Sequence, residues 1–131
     1  FNVAGLGAAH GTGHPISARF HTAHGQTLAT MLPHVMRFNL ETRAAKYAEI
    51  AVAIGVAKPG AKDLENANLC IAAIEGMVQR LGLRKSLKDL GVGSADIGPL
   101  VDDALQDMTM RTNARKVSAD DAKAMFEAAL A

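Results

Sequence analysis

The chain has 131 residues, 49% of them hydrophobic, a formal net charge of +1 and one cysteine. That length suits a single domain with one core. The near-neutral charge without basic runs gives no reason to expect nucleic acid, and no apolar run is long enough to span a bilayer. The lone Cys70 leaves no internal disulfide framework and favours a reducing, cytoplasmic setting. The chain opens on Phe1 rather than Met, and "FNVAGLGAAH" has neither the basic start nor the apolar core of a secretory signal. It is therefore expected to be a piece of something longer.

Helical periodicity runs through the chain. The stretch "GLGAAHGTGH" is glycine-rich, and each glycine costs a helix about 1 kcal/mol against alanine, so a helix here requires neighbours that press close. Pro15 is expected to close it, and a loop then returns the chain to His24 at the entrance of the next helix. From Gly25 to Phe38, Leu28, Leu32, Val35 and Met36 fall on one side, with Pro33 marking an expected kink or break. From Leu40 to Gly55, Ala44, Tyr47, Ala48, Ala51 and Ile54 form a stripe that ends on a C-terminal glycine.

After the "KPGAK" turn, Asp63 opens a long helix with Leu64, Ala67, Ile71, Ile74, Val78 and Leu81 on its apolar side and Gly82 as its stop. A short helical turn is expected in "RKSLKDLGV". Ser94 and Ser118 stand where N-caps belong, each followed by acidic residues that suit a helix N-terminus. No stretch alternates with period two for long enough to make a strand, and no repeat recurs at a fixed period. The fold class expected is all-α, one helical domain over residues 1–131.

Four of the five histidines fall between positions 10 and 24. On a helix His10 and His14 lie one turn apart with about 6 Å between their Cβ atoms, so both rings can reach one small site. Neutral imidazoles are good ligands for Zn or Fe(II), but two or three of them make an incomplete shell. The remaining ligands must come from elsewhere. A chance pairing on a surface, or simple packing, gives the same spacing.

The run "GLGAAHGTGHPISARFHTAHGQTLATMLPHVMRFN" resembles the signature of the iron-containing (group III) alcohol dehydrogenases. In that family a glycine-rich helix carries His-x-x-x-His-Pro, and a Pro-His-Gly follows before a helix ending in Leu-Pro-x-Val-Met-x-Phe/Tyr-Asn. The segments "KYAEIAVAIGV", "LRKSLKDLGVGSADIGPLVDDALQDM" and "TNARKVSADDAKAMFEAAL" are similar to successive C-terminal segments of the same family, so the resemblance covers essentially the whole chain.

The resemblance implies roles residue by residue. His10 and His24 match metal ligands. His14 matches a histidine beside the metal and near the nicotinamide ring, which implies a proton-relay or cofactor contact. Thr109 stands where some members carry a cysteine near the nicotinamide. Two further ligands, an Asp and a His four residues later, would belong to a helix preceding Phe1, and an N-terminal α/β domain would bind NAD or NADP. No glycine-rich phosphate loop in this chain replaces that domain.

The activity implied is hydride transfer between a small alcohol or aldehyde and the nicotinamide, with Fe(II) or Zn as Lewis acid. The isolated chain is expected to be inactive, and a homo-oligomer is compatible with its apolar faces. Ala23 replaces the family's proline before the second ligand, Ser17 its glycine, and Ala114 a common proline; these changes bear on substrate preference.

Other residues read as structural: His21 as a loop histidine, His34 as a helix histidine beside Pro33, and Met31, Met36, Met77 and Met108 as core filling. Cys70 is expected to be a buried, inert thiol, and the early glycines to permit close helix packing. Asn113 and Arg115 either shape the site loop or serve the helix end before Ser118. Two other functions stay open: a free-standing helical module that binds metal without catalysis, and the related glycerol dehydrogenase or dehydroquinate synthase branch using Zn. An upstream Asp-x-x-x-His helix behind an α/β domain distinguishes the module from the dehydrogenase.

Overall fold

The structure, a computed structural model, describes residues 5–131. Five α-helices follow in order: α1 (Ala8–Phe20), α2 (His24–Ala53), α3 (Asp63–Arg80), α4 (Ile97–Gln106) and α5 (Ala119–Leu130). Short 3₁₀ turns lie at Lys88–Leu90, Ser94–Asp96 and Met108–Thr112. No strand occurs among the described residues, and the all-α expectation holds.

The long α2 is the spine. Its first half joins α1, α4 and α5 around Ile16, Met31, Leu100 and Phe126, all fully buried. From Met36 to Ala51 α2 packs on α3 around Cys70 and Ile71. Each end of the spine therefore has its own apolar partner.

That division explains why α2 is one helix and not the two expected around Pro33 and Asn39. Proline in a helix interior costs about 3 kcal/mol, whereas burying a side chain such as Met31, Val35 or Met36 stabilises by about 1.5–3 kcal/mol each. All three are buried on the two sides of Pro33, so packing outweighs the lost hydrogen bond. Asn39 is buried and held by Asn113 across the fold, so it anchors α2 at mid-length instead of ending it. Pro15 likewise does not close α1, which continues through buried Ile16 to Phe20. The turn comes at His21, whose φ of 53° is the left-handed conformation that ends the helix.

The glycine stops are where the pattern places them. Gly55 and Gly82 follow α2 and α3 with φ of 77° and 70°. Val56 N–H donates to Ala51 O and Leu83 N–H to Val78 O, closing both helices in the same left-handed motif. Ser118 caps α5 as expected: its hydroxyl accepts from Asp121 N–H at 3.1 Å, and the Asp121 carboxylate accepts from Ser118 N–H at 2.9 Å. Ser94 does not cap its helix. There Asp96 accepts from Gly93 N–H at 2.8 Å, and a 3₁₀ turn leads into α4.

Two other expectations fail for one reason. Leu64 and Leu81 of the α3 stripe are 55% and 65% exposed, and Met77 and Met108 are not core residues. The apolar stripe of α3 is wider than the single helix that covers it, and Met108 projects from the turn after α4. Cys70, by contrast, is fully buried, and burial pushes its thiol up. Among the described residues no helix is long and apolar enough to cross a membrane.

Candidate metal and proton-transfer site

Helix α1 places His10 and His14 one turn apart on the same face, and the three-residue link 21–23 turns the chain back so that His24 is the first residue of α2. The three rings form a near-equilateral triangle, with centroids 5.5 Å (His10–His14), 5.4 Å (His10–His24) and 5.6 Å (His14–His24) apart. The three histidines singled out in the sequence thus converge. His21 is exposed in the link, and His34 lies ten residues beyond His24 along α2, about 15 Å at 1.5 Å per residue.

A buried hydroxyl cluster fixes the link. Thr27 is fully buried and shares hydrogen bonds with Thr22 (2.6 Å), Ser17 (3.2 Å) and Ala23 O (3.2 Å). Ser17 is therefore part of the brace between α1 and α2, at a position where the sequence signature has glycine. Glycine matters at the helix contacts themselves. A Cβ on Gly13 would stand 2.9 Å from Leu28 of α2, and one on Gly11 2.9 Å from Met110 of the Met108–Thr112 turn. The close packing expected of the early glycines is what brings these elements to the histidines.

The Met108–Thr112 turn delivers a residue that the sequence pattern did not single out. Asp107, which caps this turn, lies with Oδ2 2.7 Å from His14 Nδ1. Its other oxygen, Oδ1, accepts from Thr109 N–H at 2.8 Å and from the Thr109 hydroxyl at 2.6 Å. Burial pushes the Asp107 carboxyl up, but the Thr109 bonds and His14 outweigh it and hold the group below the usual carboxylate range. An ionised carboxylate only accepts, so Nδ1 of His14 is the donor in this bond. Only the position of Asp107 two residues before Thr109 hinted at it, since an Asp before a helical turn caps its own backbone far more often than it serves a distant ring.

At His10, burial and then the neighbouring His14 and His24 push the imidazole below its ordinary range, with Asp107 acting in the opposite sense. The neutral ring that results is the form that binds metal. Imidazole nitrogen suits Zn and Fe(II), so the donor type fits such an ion. The donor number does not: among the described residues, no group of three or more His, Cys, Asp or Glu side chains is arranged to hold a metal by itself.

Two open clefts lie elsewhere. One of about 570 Å³ is bounded by Thr30, Pro33, His34, Glu75 and Arg84, and one of about 610 Å³ lies between α4 and α5. Neither is lined by the histidine triangle, which stands on an open face with His24 exposed.

Asn113 resolves its two sequence readings in favour of the site loop. Its Oδ1 accepts from Ala8 N–H at 3.1 Å, at the start of α1 and two residues before His10. Arg115 donates to Phe38 O at 3.1 Å and stacks over the Phe38 ring at 4.4 Å. Both tie the loop to α2.

Comparison with known proteins shows the family and the fold. Residues 1–130 match the model of the Fe-containing alcohol dehydrogenase family, C-terminal. Lactaldehyde reductase of Escherichia coli is 35% identical over 129 residues, covering 98% of this chain and 34% of that protein. The 1,3-propanediol dehydrogenase of Klebsiella pneumoniae is 36% identical over 129 residues, covering 98% and 33%. Among solved structures, a 1,3-propanediol oxidoreductase superposes with a TM-score of 0.91 at 34% identity, covering 95% of this chain and 32% of that one. The alcohol dehydrogenase from Oenococcus oeni gives 0.90 at 28% identity, with the same coverage of 95% and 32%. The chain spans about a third of the length of these relatives.

Proposed function

The chain belongs to the Fe-containing alcohol dehydrogenase family, whose C-terminal region it matches, and from that premise we propose that it is the metal-binding helical part of an NAD(P)-dependent alcohol dehydrogenase. The observation that carries the reading is the convergence of His10, His14 and His24 to within 5.4–5.6 Å on an open face. In this reading His10 and His24 each give one imidazole nitrogen to a divalent metal, Fe(II) or Zn. Two more ligands and the dinucleotide-binding domain come from the part of the protein that precedes these residues, and their approach covers the face on which His24 is now exposed.

A bound divalent metal supplies Lewis acidity at the oxygen of the alcohol or carbonyl. The residues of this chain do the rest locally. His14, with Nδ1 committed to Asp107, has Nε2 left, and that nitrogen would take the hydroxyl proton of a small alcohol and return a proton in the reverse direction. Thr109, whose hydroxyl donates to Asp107, would line the side of the site that the nicotinamide approaches. The packed turn at Met110 and Gly11 keeps these groups in register. The longer protein is thus an oxidoreductase of small alcohols and aldehydes, and this chain alone is inactive.

Metal analysis of the full-length protein tests the ligand assignment. His10→Ala and His24→Ala are expected to lose most of the bound metal and nearly all turnover, because each leaves an open first position and a loosened site. Stoichiometric metal in purified His24→Ala would overturn the assignment.

A further inference from the structure

Asp107 stands between two partners on opposite sides of its carboxylate, each of which needs an acceptor. On one side, two Thr109 donors, N–H at 2.8 Å and Oγ–H at 2.6 Å, require an acceptor at Oδ1. On the other, His14 Nδ1 at 2.7 Å faces Oδ2. The carboxylate answers both at once because each of its oxygens accepts. It comes from the residue that ends α4, so it reaches α1 across the fold from a position 93 residues away.

We propose that Asp107 is the positioning residue of the site: braced by Thr109, it holds His14 in the Nδ1–H tautomer and leaves Nε2 as the nitrogen that exchanges a proton with substrate. This rests on the role of His14 given above. Side-chain carboxylates that orient a functional imidazole fix both its ring angle and its tautomer. Here the brace makes the choice one-sided. The orientation of Asp107 is set by Thr109 before His14 is considered, so the proton on His14 has only one place to sit.

The brace gives the isosteric variant a specific consequence. In Asp107→Asn the two Thr109 donors still demand an acceptor and capture the amide oxygen. The amide NH2 then faces His14 Nδ1, which must become an acceptor, and the ring proton moves to Nε2. The shape is kept and the chemistry is inverted.

The test uses the full-length zinc-loaded protein with 15N-labelled histidine at a pH of about 8.5, where free imidazole is neutral. Native His14 is expected to show a protonated Nδ1 and an unprotonated Nε2 by NMR. Asp107→Asn should show the reverse, and Asp107→Ala a mixture of both, a second variant that does not depend on amide orientation. In steady-state kinetics Asp107→Asn should lower kcat by about 10–100-fold with KM and bound metal retained. The same substitution placed in His14→Ala should have no further effect on kcat, since a residue that acts through His14 has nothing left to act on. His14 keeping its native tautomer in both Asp107 variants overturns the proposal, as does an undiminished effect of Asp107→Asn in the His14→Ala background. An inverted tautomer with intact turnover leaves Asp107 as the residue that sets the tautomer and instead removes the proton-transfer role assigned to His14.

Discussion

Asn39 and Asn113, 74 residues apart in sequence, hold each other by a reciprocal pair of side-chain amide bonds: Asn39 Nδ2 donates to Asn113 Oδ1 at 3.1 Å and Asn113 Nδ2 to Asn39 Oδ1 at 2.8 Å. The same Asn113 oxygen accepts the first N–H of α1, and its amide donates to Arg115 O at 2.7 Å. One side chain therefore connects the middle of α2, the start of α1 and the turn that carries Asp107.

Breaking this junction leaves partly buried polar groups without partners, which costs about 1–3 kcal/mol. Asn113→Ala is expected to lower the denaturant midpoint accordingly. Because Ala8 lies two residues before His10, the substitution should also weaken metal binding in the full-length protein. A metal titration after a stability measurement checks both, and an unchanged affinity would separate the junction from the site.

His14→Ala in the full-length protein is expected to keep its metal, since the ring belongs to Asp107 and not to the ligand set proposed here. Turnover should fall, and the pH dependence of kcat should flatten because the proton acceptor is gone. Metal loss as complete as in His10→Ala would make His14 a ligand.

The box that opens α5 carries a pH-dependent contribution to stability. Hydrogen bonds from the Ser118 hydroxyl and then its N–H hold the Asp121 carboxyl below its usual range. A carboxyl lowered in the folded state stabilises above its unfolded value, near 4, and that stability is lost as pH falls through the folded value. Ser118→Ala should cost about 1 kcal/mol at neutral pH. Its deficit relative to the native protein should shrink on acidification, read from thermal melts at several pH values.

Cys70 is fully buried between α2 and α3, and burial raises its thiol. It should react with a thiol reagent slowly in the native state and at once in denaturant. Labelling faster than global unfolding would reveal local opening of α3, whose free side carries the exposed Leu64 and Leu81.

The alternation of apolar stripes with glycine stops, and the absence of period-two runs, made the helical class and the ends of α2 and α3 legible in the sequence. So did the cap at Ser118, because cap, stop and stripe are local features that the backbone reads within a few residues. The histidine spacing pointed to His10 and His14 in the same way, since positions four apart share a face of any helix, whereas His24 was singled out by the family resemblance.

The continuity of α2 through Pro33 was decided by tertiary structure alone. Local propensity opposes it, and only the burial of Met31, Val35 and Met36 on the two sides overcomes that opposition. The exposure of Met77 and Met108 was settled there too, because an apolar residue is covered only if a neighbouring element reaches it. The approach of Asp107 to His14 lies beyond any local signal for the same reason. It joins residues 93 apart, and its geometry is set by the packing of Gly11 against Met110 and by the Asn39–Asn113 junction. A carboxylate before a short turn looks like an ordinary cap until the fold brings an imidazole to its other oxygen.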